Sequence, residues 1–219
     1  MKIAILGTGM VGEALGTKLV ELGHQILMGS RTAASEGGRK WLQSVNNRAQ
    51  IGTFADAAAF GEIVIDCTNG ANSLAALRLA GADHLRGKII IQVSNPLDLS
   101  QGMPPSLTVC NTDSLGEQIQ REFPEARVVK ALNTINCAVM VQPSILSGDH
   151  DLIICGNDAA AKKEVTALLG EWFGWKPENV IDLGDITASR GTEMYLALWI
   201  RVWGALGTPR FNLKLVRER

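Results

Sequence analysis

Two short clusters of residues in this 219-residue chain have the types and spacing to hold a large, doubly charged ligand. The first is Gly7-Thr8-Gly9-Met10-Val11-Gly12, a G-x-G-x-x-G run that directly follows the apolar stretch Lys2 to Leu6 and directly opens a helical pattern. In that context Gly7 allows a tight turn, Gly9 leaves room for a pyrophosphate to approach the backbone, and Gly12 lets helix and strand sit close together. The free N–H groups and partial positive charge at the helix start then meet the anion. The second cluster is Ser30-Arg31-Thr32, just past the next strand-like run. A site that takes NAD normally has a carboxylate there for the ribose 2′-OH, and none is present. A guanidinium flanked by hydroxyls suits a 2′-phosphate, which Arg31 can grip with two charge-assisted bonds. Arg39 and Lys40 can add charge from the next helix. These residues predict an NADP(H) site with NADPH preferred over NADH.

Where chemistry should happen, the residues are small and neutral. Thr68-Asn69 follows a fourth apolar run, Ser94-Asn95-Pro96 a fifth, and Ala131 and Asn133 stand at the end of a sixth. Such residues suit a wall against which flat rings stack. Hydride transfer from a nicotinamide to a flavin-like ring needs the two rings face to face, and the cofactors carry the chemistry. No side chain is therefore assigned a catalytic role, and the amides of Asn69, Asn95 and Asn133 are expected to orient the carboxamide or the second ring. A dehydrogenase acting on alcohols needs a general acid or base. His24 and His84 precede strands, His150 stands in a loop, and Tyr195 lies in an apolar helix without a lysine four residues on. Cys67, Cys110, Cys137 and Cys155 lack metal or redox spacing and read as reduced thiols, with no metal site.

The elements that must position these clusters alternate apolar runs with helical patterns, the mark of βαβ units. Strands are predicted at Lys2–Leu6, Gln25–Met28, Ala49–Gly52, Ile63–Cys67, Lys88–Val93, Arg127–Leu132, Leu152–Cys155 and Val180–Asp182, and a helix at Met10–Leu22. Several strands are apolar throughout, as in a parallel sheet covered on both faces. The fold class is α/β, a Rossmann-type parallel sheet with helices on both faces and a C-terminal helical cap. Residues 1–183 are expected to form the NADP-binding domain, with 184–219 packed on the same core or at a dimer interface. Loops are expected at 34–38 and 94–111, past the ends of strands. Thr187 to Trp203 is apolar around nearly its whole circumference, so it must be covered inside the monomer or in a homodimer. The tail from Arg210 to Arg219 alternates weakly, as an edge strand does. With 21 basic and 22 acidic side chains there is no electrostatic footprint for nucleic acid, and no apolar run is long enough to span a membrane. A cytoplasmic protein with a small-molecule redox partner is expected.

The runs Gly7 to Gly12, Gly29-Ser30-Arg31, Val93 to Pro96, Val128 to Asn133 and Asp182-Leu183-Gly184 together resemble the NADP oxidoreductases dependent on coenzyme F420, a deazaflavin. The same string is similar to the cytosolic reductase domain of the STEAP metalloreductases, which uses NADPH and a flavin. The resemblance implies that Thr8 to Gly12 hold pyrophosphate, that Ser30 and Arg31 hold the 2′-phosphate, and that Ser94, Asn95, Pro96 and Ala131 line the ring site. It implies hydride transfer between NADPH and F420 or a flavin (FMN or FAD). The alternatives are an NADPH sensor without turnover and a reductase of small imines or ketones.

Overall fold

The computed structural model describes residues 1–216 and 218. In chain order the strands are β1 (Lys2–Leu6), β2 (Gln25–Ser30), β3 (Gln50–Thr53), β4 (Ile63–Asp66), β5 (Ile89–Gln92), β6 (Leu97–Asp98), β7 (Ser106–Leu107), β8 (Arg127–Ala131), β9 (Leu152–Cys155) and β10 (Val180–Asp182). The helices are α1 (Met10–Glu21), α2 (Glu36–Ser44), α3 (Phe54–Phe60), α4 (Gly70–Ala80), α5 (Ala82–Leu85), α6 (Leu115–Glu122), α7 (Cys137–Val141), α8 (Ala159–Phe173) and α9 (Ser189–Leu206).

The main sheet has the order β3-β2-β1-β4-β5-β8-β9-β10, and β6 and β7 form a separate hairpin. The strands from β3 to β8 run parallel, as the βαβ rhythm predicts. The last two do not: β9 is antiparallel to β8, and β10 is parallel to β9. The link from Leu132 to Asp151 holds only the short α7 and one 3-10 turn, and it brings the chain back into the sheet from the end it left. A parallel return would need a full crossover to the opposite end.

Apolar side chains close both faces of the sheet. One face buries Ile3, Ile5, Met28, Ile65 and Ile91 under α1, α2 and α8, with Leu15, Leu19, Trp41 and Trp172 as the large contributors. The other buries Ala4, Leu6, Val64 and Ile90 under α3, α4 and α6. Trp41 also donates its indole N–H to Thr17 Oγ1 at 3.1 Å, tying α2 to α1.

Within the chain α9 is covered on one face: Ser189, Thr192, Glu193, Leu196 and Trp199 are buried, while Leu198 and Leu206 are each 57% exposed. Two sequence expectations need correction. Residues 34–38 are not all loop: Ser35 caps α2 by accepting from the Gly38 N–H at 3.2 Å, so Glu36 begins a helix whose two glycines fit against Thr8 and Ile51. The tail forms no strand among its described residues, and Arg217 and Arg219 lie outside them. It is held at Asp151, whose carboxylate accepts from Lys214 Nζ at 2.7 Å and from the Leu215 N–H at 2.6 Å, while its backbone N–H donates to the Leu213 carbonyl and its carbonyl accepts from Asn212 Nδ2, both at 2.8 Å.

Candidate functional site

Two clefts open along the carboxyl ends of the parallel strands, where an open α/β sheet binds its ligands. The first, of about 660 Å³, runs from Gly7, Thr8 and Gly9 past Ser30, Arg31 and Thr32 to an apolar wall of Phe54, Ala75, Ala76 and Leu79. The glycines differ in what they make room for. Gly7 has φ +111°, and a Cβ there would lie 2.7 Å from the Cys67 carbonyl oxygen. A Cβ on Gly12 would strike the Gly7 carbonyl at 2.2 Å, so Gly12 serves the turn itself. A Cβ on Gly9 would meet no protein atom within 4 Å. The space beside Gly9 is the cleft, and no side chain caps the α1 N-terminus that opens into it. Both features fit a pyrophosphate. Ser30 Oγ donates to the Thr32 carbonyl at 2.6 Å, which closes the turn and leaves the exposed Arg31 on the cleft rim. Arg39 and Lys40 do not line this cleft; Lys40 pairs with Glu36 at 2.6 Å along its own helix.

The second cleft, of about 540 Å³, adjoins the first at Cys67, Thr68 and Asn69, which line both. Its floor is Met10, Val11, Ser94 and Asn95, its side is the stretch from Asn133 to Cys137, and its roof is Leu196, Trp199 and Trp203 of α9. No His, Lys, Arg, Tyr, Asp or Glu stands among the lining residues. Trp199 is fixed by stacking on Phe211, with ring centroids 5.2 Å apart and planes 23° from parallel.

The asparagines of the two clefts are largely spent on one another and on the backbone. Asn69 Oδ1 caps α4 by accepting from the Ala71 N–H at 3.0 Å. Asn95 donates to the Asn133 carbonyl at 2.7 Å and accepts from Asn133 Nδ2 at 2.9 Å. The same Asn133 nitrogen donates to the Thr192 carbonyl on α9 at 3.1 Å. Asn133 Oδ1, buried, has no partner among the described residues.

Beneath this wall runs a chain of buried polar groups. Asp66 accepts from Thr68 Oγ1 at 2.6 Å, from Ser94 Oγ at 3.1 Å and from Ser73, so one carboxylate shapes the loops after β4 and β5. Lys130, fully buried on β8, donates to Gln92 Oε1, to the Ser94 carbonyl at 2.6 Å and to Glu193 at 2.8 Å. Glu193 also accepts from the Leu115 and Gly116 N–H groups at 2.9 and 3.0 Å, at the start of α6. Burial holds the Lys130 ammonium below the ordinary lysine range, with the Glu193 carboxylate opposing. Burial, helped by the Asp66 charge, pushes the Cys67 thiol well up, which leaves it protonated and inert as a nucleophile.

Of the residues singled out from sequence, Gly7, Thr8, Gly9, Ser30, Arg31 and Thr32 gather on the first cleft, Met10, Val11, Ser94, Asn95 and Asn133 on the second, and Thr68 and Asn69 on both. Gly12, Pro96 and Ala131 are buried and line neither cleft; Ala131 points into the core, and the chain beyond it supplies the wall. Sequence reasoning missed Asp66, Gln92, Lys130 and Glu193, and it missed Leu196, Trp199 and Trp203 as lining residues. A signal existed for two of them, since Lys130 and Glu193 each stand as a charge inside an otherwise apolar segment.

Comparison with known proteins agrees with this geometry. The family profile described as NADP oxidoreductase coenzyme F420-dependent matches residues 2–96. The F420-dependent NADP reductase of Methanocaldococcus jannaschii is 31% identical over 209 residues, covering 91% of each chain. An Arthrobacter sp. FB24 protein, solved by crystallography and assigned as an F420-dependent NADP reductase, is 52% identical with a TM-score of 0.93, covering 99% of this chain and 100% of that one. The rat metalloreductase STEAP3 is 29% identical over 88% of this chain, which spans only 36% of that longer protein. With 31% identity to the Methanocaldococcus reductase over 91% of each chain, this chain belongs to the coenzyme F420-dependent NADP oxidoreductase family.

Proposed function

We propose that this protein is an NADP(H)-dependent oxidoreductase that passes hydride between NADPH and a deazaflavin of the F420 type, with flavins as the next class of acceptor. The observation that carries the reading is the junction of the clefts at Thr68 and Asn69: a dinucleotide site with an open pyrophosphate cradle runs into an apolar, flat-walled chamber. Bound there, the reduced nicotinamide supplies the hydride, and the deazaflavin takes it up with one proton from solvent. The chain's own part is to bind and orient. Gly7 to Val11 would hold the pyrophosphate, Ser30, Arg31 and Thr32 the 2′-phosphate, and Thr68, Asn69, Ser94, Asn95 and Asn133 the facing rings. Trp199, Trp203 and Leu196 exclude water above them. The described lining holds no His, Lys, Arg, Tyr, Asp or Glu, which supports ring-to-ring hydride transfer; imine or ketone reduction would need Thr134, Ser94 or an ordered water to serve the proton.

The test is an acceptor screen that follows NADPH absorbance with F420, riboflavin, a quinone and a cyclic imine. Turnover with F420 or riboflavin supports the reading. Binding of NADPH with no acceptor reduced leaves the sensor as the better account. In parallel, Arg31→Ala should weaken NADPH binding by about tenfold to a hundredfold and leave NADH unchanged, the loss expected for a charge-assisted phosphate contact.

Leu196, Trp199, Trp203 and Pro209 of the C-terminal segment then act as the roof of the second cleft. The outward face of α9, with Met194, Leu198 and Leu206 exposed, favours a homodimer, which a sedimentation mass of two chains would support and a mass of one would refute. Four free thiols, one of them exposed, suit the reducing cytoplasm.

A further inference from the structure

Beyond α9 the chain runs on as a strap, residues 208–216, with no helix or strand of its own. It supplies two supports of the second cleft. Pro209 lines the cleft, and Phe211 backs Trp199 of the roof with ring centroids 5.2 Å apart. A segment without regular structure keeps its place only through what fastens it, and two neighbouring residues just before β9 fasten this one. Asp151 holds the outer end, through Leu213, Lys214 and Leu215. The inner end, which carries Phe211, is held at Asn212, whose side-chain nitrogen donates to the Asp151 carbonyl at 2.8 Å and faces His150 Nδ1 at 2.9 Å.

The protons on His150 follow from its neighbours. Nε2 faces the Pro143 carbonyl at 3.0 Å, an atom that can only accept, so Nε2 carries a hydrogen. The Asp151 carbonyl fixes the Asn212 atom as nitrogen, since a flipped amide would set oxygen against oxygen. Nδ1 is therefore the acceptor, and the ring must be neutral to hold the strap. A proton on Nδ1 would set N–H against N–H, and Asn212 could meet it only by turning its oxygen inward and giving up the Asp151 carbonyl. The ring is buried, with Trp175 packed across it at 86° and 5.1 Å between centroids, so it cannot simply swing clear. The charged groups around it are already paired with one another, Asp149 with Lys176 at 3.0 Å and Asp151 with Lys214 at 2.7 Å.

We propose that His150 and Asn212 are positioning residues for the second cleft: the neutral imidazole clasps the strap that backs the roof, and proton uptake at Nδ1 releases the strap's inner end. Only the neutral ring makes the bond, and the released strap leaves Nδ1 free to take a proton, so release is driven as pH falls. Histidine is the side chain that ordinarily titrates in this range. Asp151 keeps Lys214 and Leu215 throughout, so residues 209–212 loosen while 213–215 stay. Trp199 then loses the Phe211 stack and the cleft loses its Pro209 edge. The first cleft, which no strap residue lines, is spared. The acceptor-binding arm of the test rests on the reading of the second cleft as the acceptor site, and the structural arm does not.

The structural arm is nuclear magnetic resonance of the NADP+-loaded full chain between about pH 8 and about pH 5.5. Backbone order at residues 210–212 should fall as the His150 ring takes up its proton, while Leu215 stays ordered. The binding arm is calorimetry with riboflavin at both ends of that range. Wild type should bind about threefold to tenfold more weakly at the acid end, the loss expected for one hydrogen bond. Asn212→Ala has no clasp at any pH and should bind weakly at both ends. His150→Gln keeps a donor and an acceptor but does not titrate, and should show no step. The 2′-phosphate of NADP+ titrates in the same window, and it does so equally in every variant, so the clasp is what separates them. An equal step in wild type and either variant, undiminished binding by Asn212→Ala at the alkaline end, or unchanged order at 210–212 down to the acid end overturns the proposal. If riboflavin binds at no pH while NADP+ still binds, the acceptor reading falls, and the order of residues 210–212 still decides the clasp.

Discussion

Lys130→Met should destabilise the protein severely while leaving the dinucleotide cleft intact. The lysine is fully buried and donates to Gln92, to the Ser94 carbonyl and to Glu193, whose side chain is 1% exposed. Methionine fills similar volume, so little cavity is created and the loss is electrostatic. Removing one partner of a buried pair typically costs ~3–5 kcal/mol, because the other charge is left uncompensated. Glu193 keeps its two backbone N–H bonds at 2.9 and 3.0 Å, which favours the lower end. For a chain of this size that corresponds to a fall of about 6 to 20 °C in melting temperature. The double change Lys130→Met with Glu193→Gln removes both charges and should be less damaging than the sum of the singles by about 1 kcal/mol or more, read from urea unfolding of the four proteins. Because Ser94 and α9 both lose a tether, acceptor affinity should fall while the NADPH dissociation constant stays put. A loss below about 1 kcal/mol for the single change, or strict additivity in the cycle, would refute the account of Lys130 as the pin between sheet and roof.

Three further outcomes follow from the same geometry. Gly9→Ala should keep its melting temperature and lose NADPH affinity, since the new methyl enters only the cleft; weakened folding would sink this. Gly70→Ala should do the reverse, because its Cβ would sit 1.9 Å from the Asn95 carbonyl and force α4 away from the loop, and an unaltered thermal melt would contradict that. The third concerns pH. The Arg190 hydrogen bonds, with the Ser114 hydroxyl adding, hold the Glu117 carboxyl below its ordinary 4.5. A carboxyl depressed by folding stabilises above its unfolded value and loses that contribution as pH falls through the folded one. Melting temperatures of wild type and Arg190→Ala should therefore differ at neutral pH and converge as the pH falls below the ordinary glutamate range, and a constant gap would disprove the coupling.

The lining of the first cleft was legible because its contacts are local. Gly7, Gly9 and Gly12 act within one turn, and Ser30 to Thr32 close on each other at 2.6 Å, so spacing along the chain is spacing in the fold. The βαβ order was legible for the same reason, since each apolar run is covered by the helix that follows it. The reversal at β9 was not, because it depends on where a 20-residue link without strong periodicity chooses to re-enter.

The second cleft was legible only in its strand-end residues, because the pairings that build its wall and roof join elements far apart in sequence. Asn95 meets Asn133 across 38 residues, and Lys130 meets Glu193 across 63. The helix from Thr187 to Trp203 reads as apolar around nearly its whole circumference, so its pattern cannot single out Leu196, Trp199 and Trp203 as the side that lines a cleft. What the sequence does carry is the anomaly. A lone lysine in the run Val128-Val129-Lys130-Ala131 and a lone glutamate before Met194 and Tyr195 are each too costly to bury unpaired. Lys130 calls for a buried carboxylate, and both Asp66 in the apolar run Ile63 to Cys67 and Glu193 answer that description. The fold pairs it with Glu193, which ties α9 to β8 and sets Trp199 and Trp203 over the second cleft.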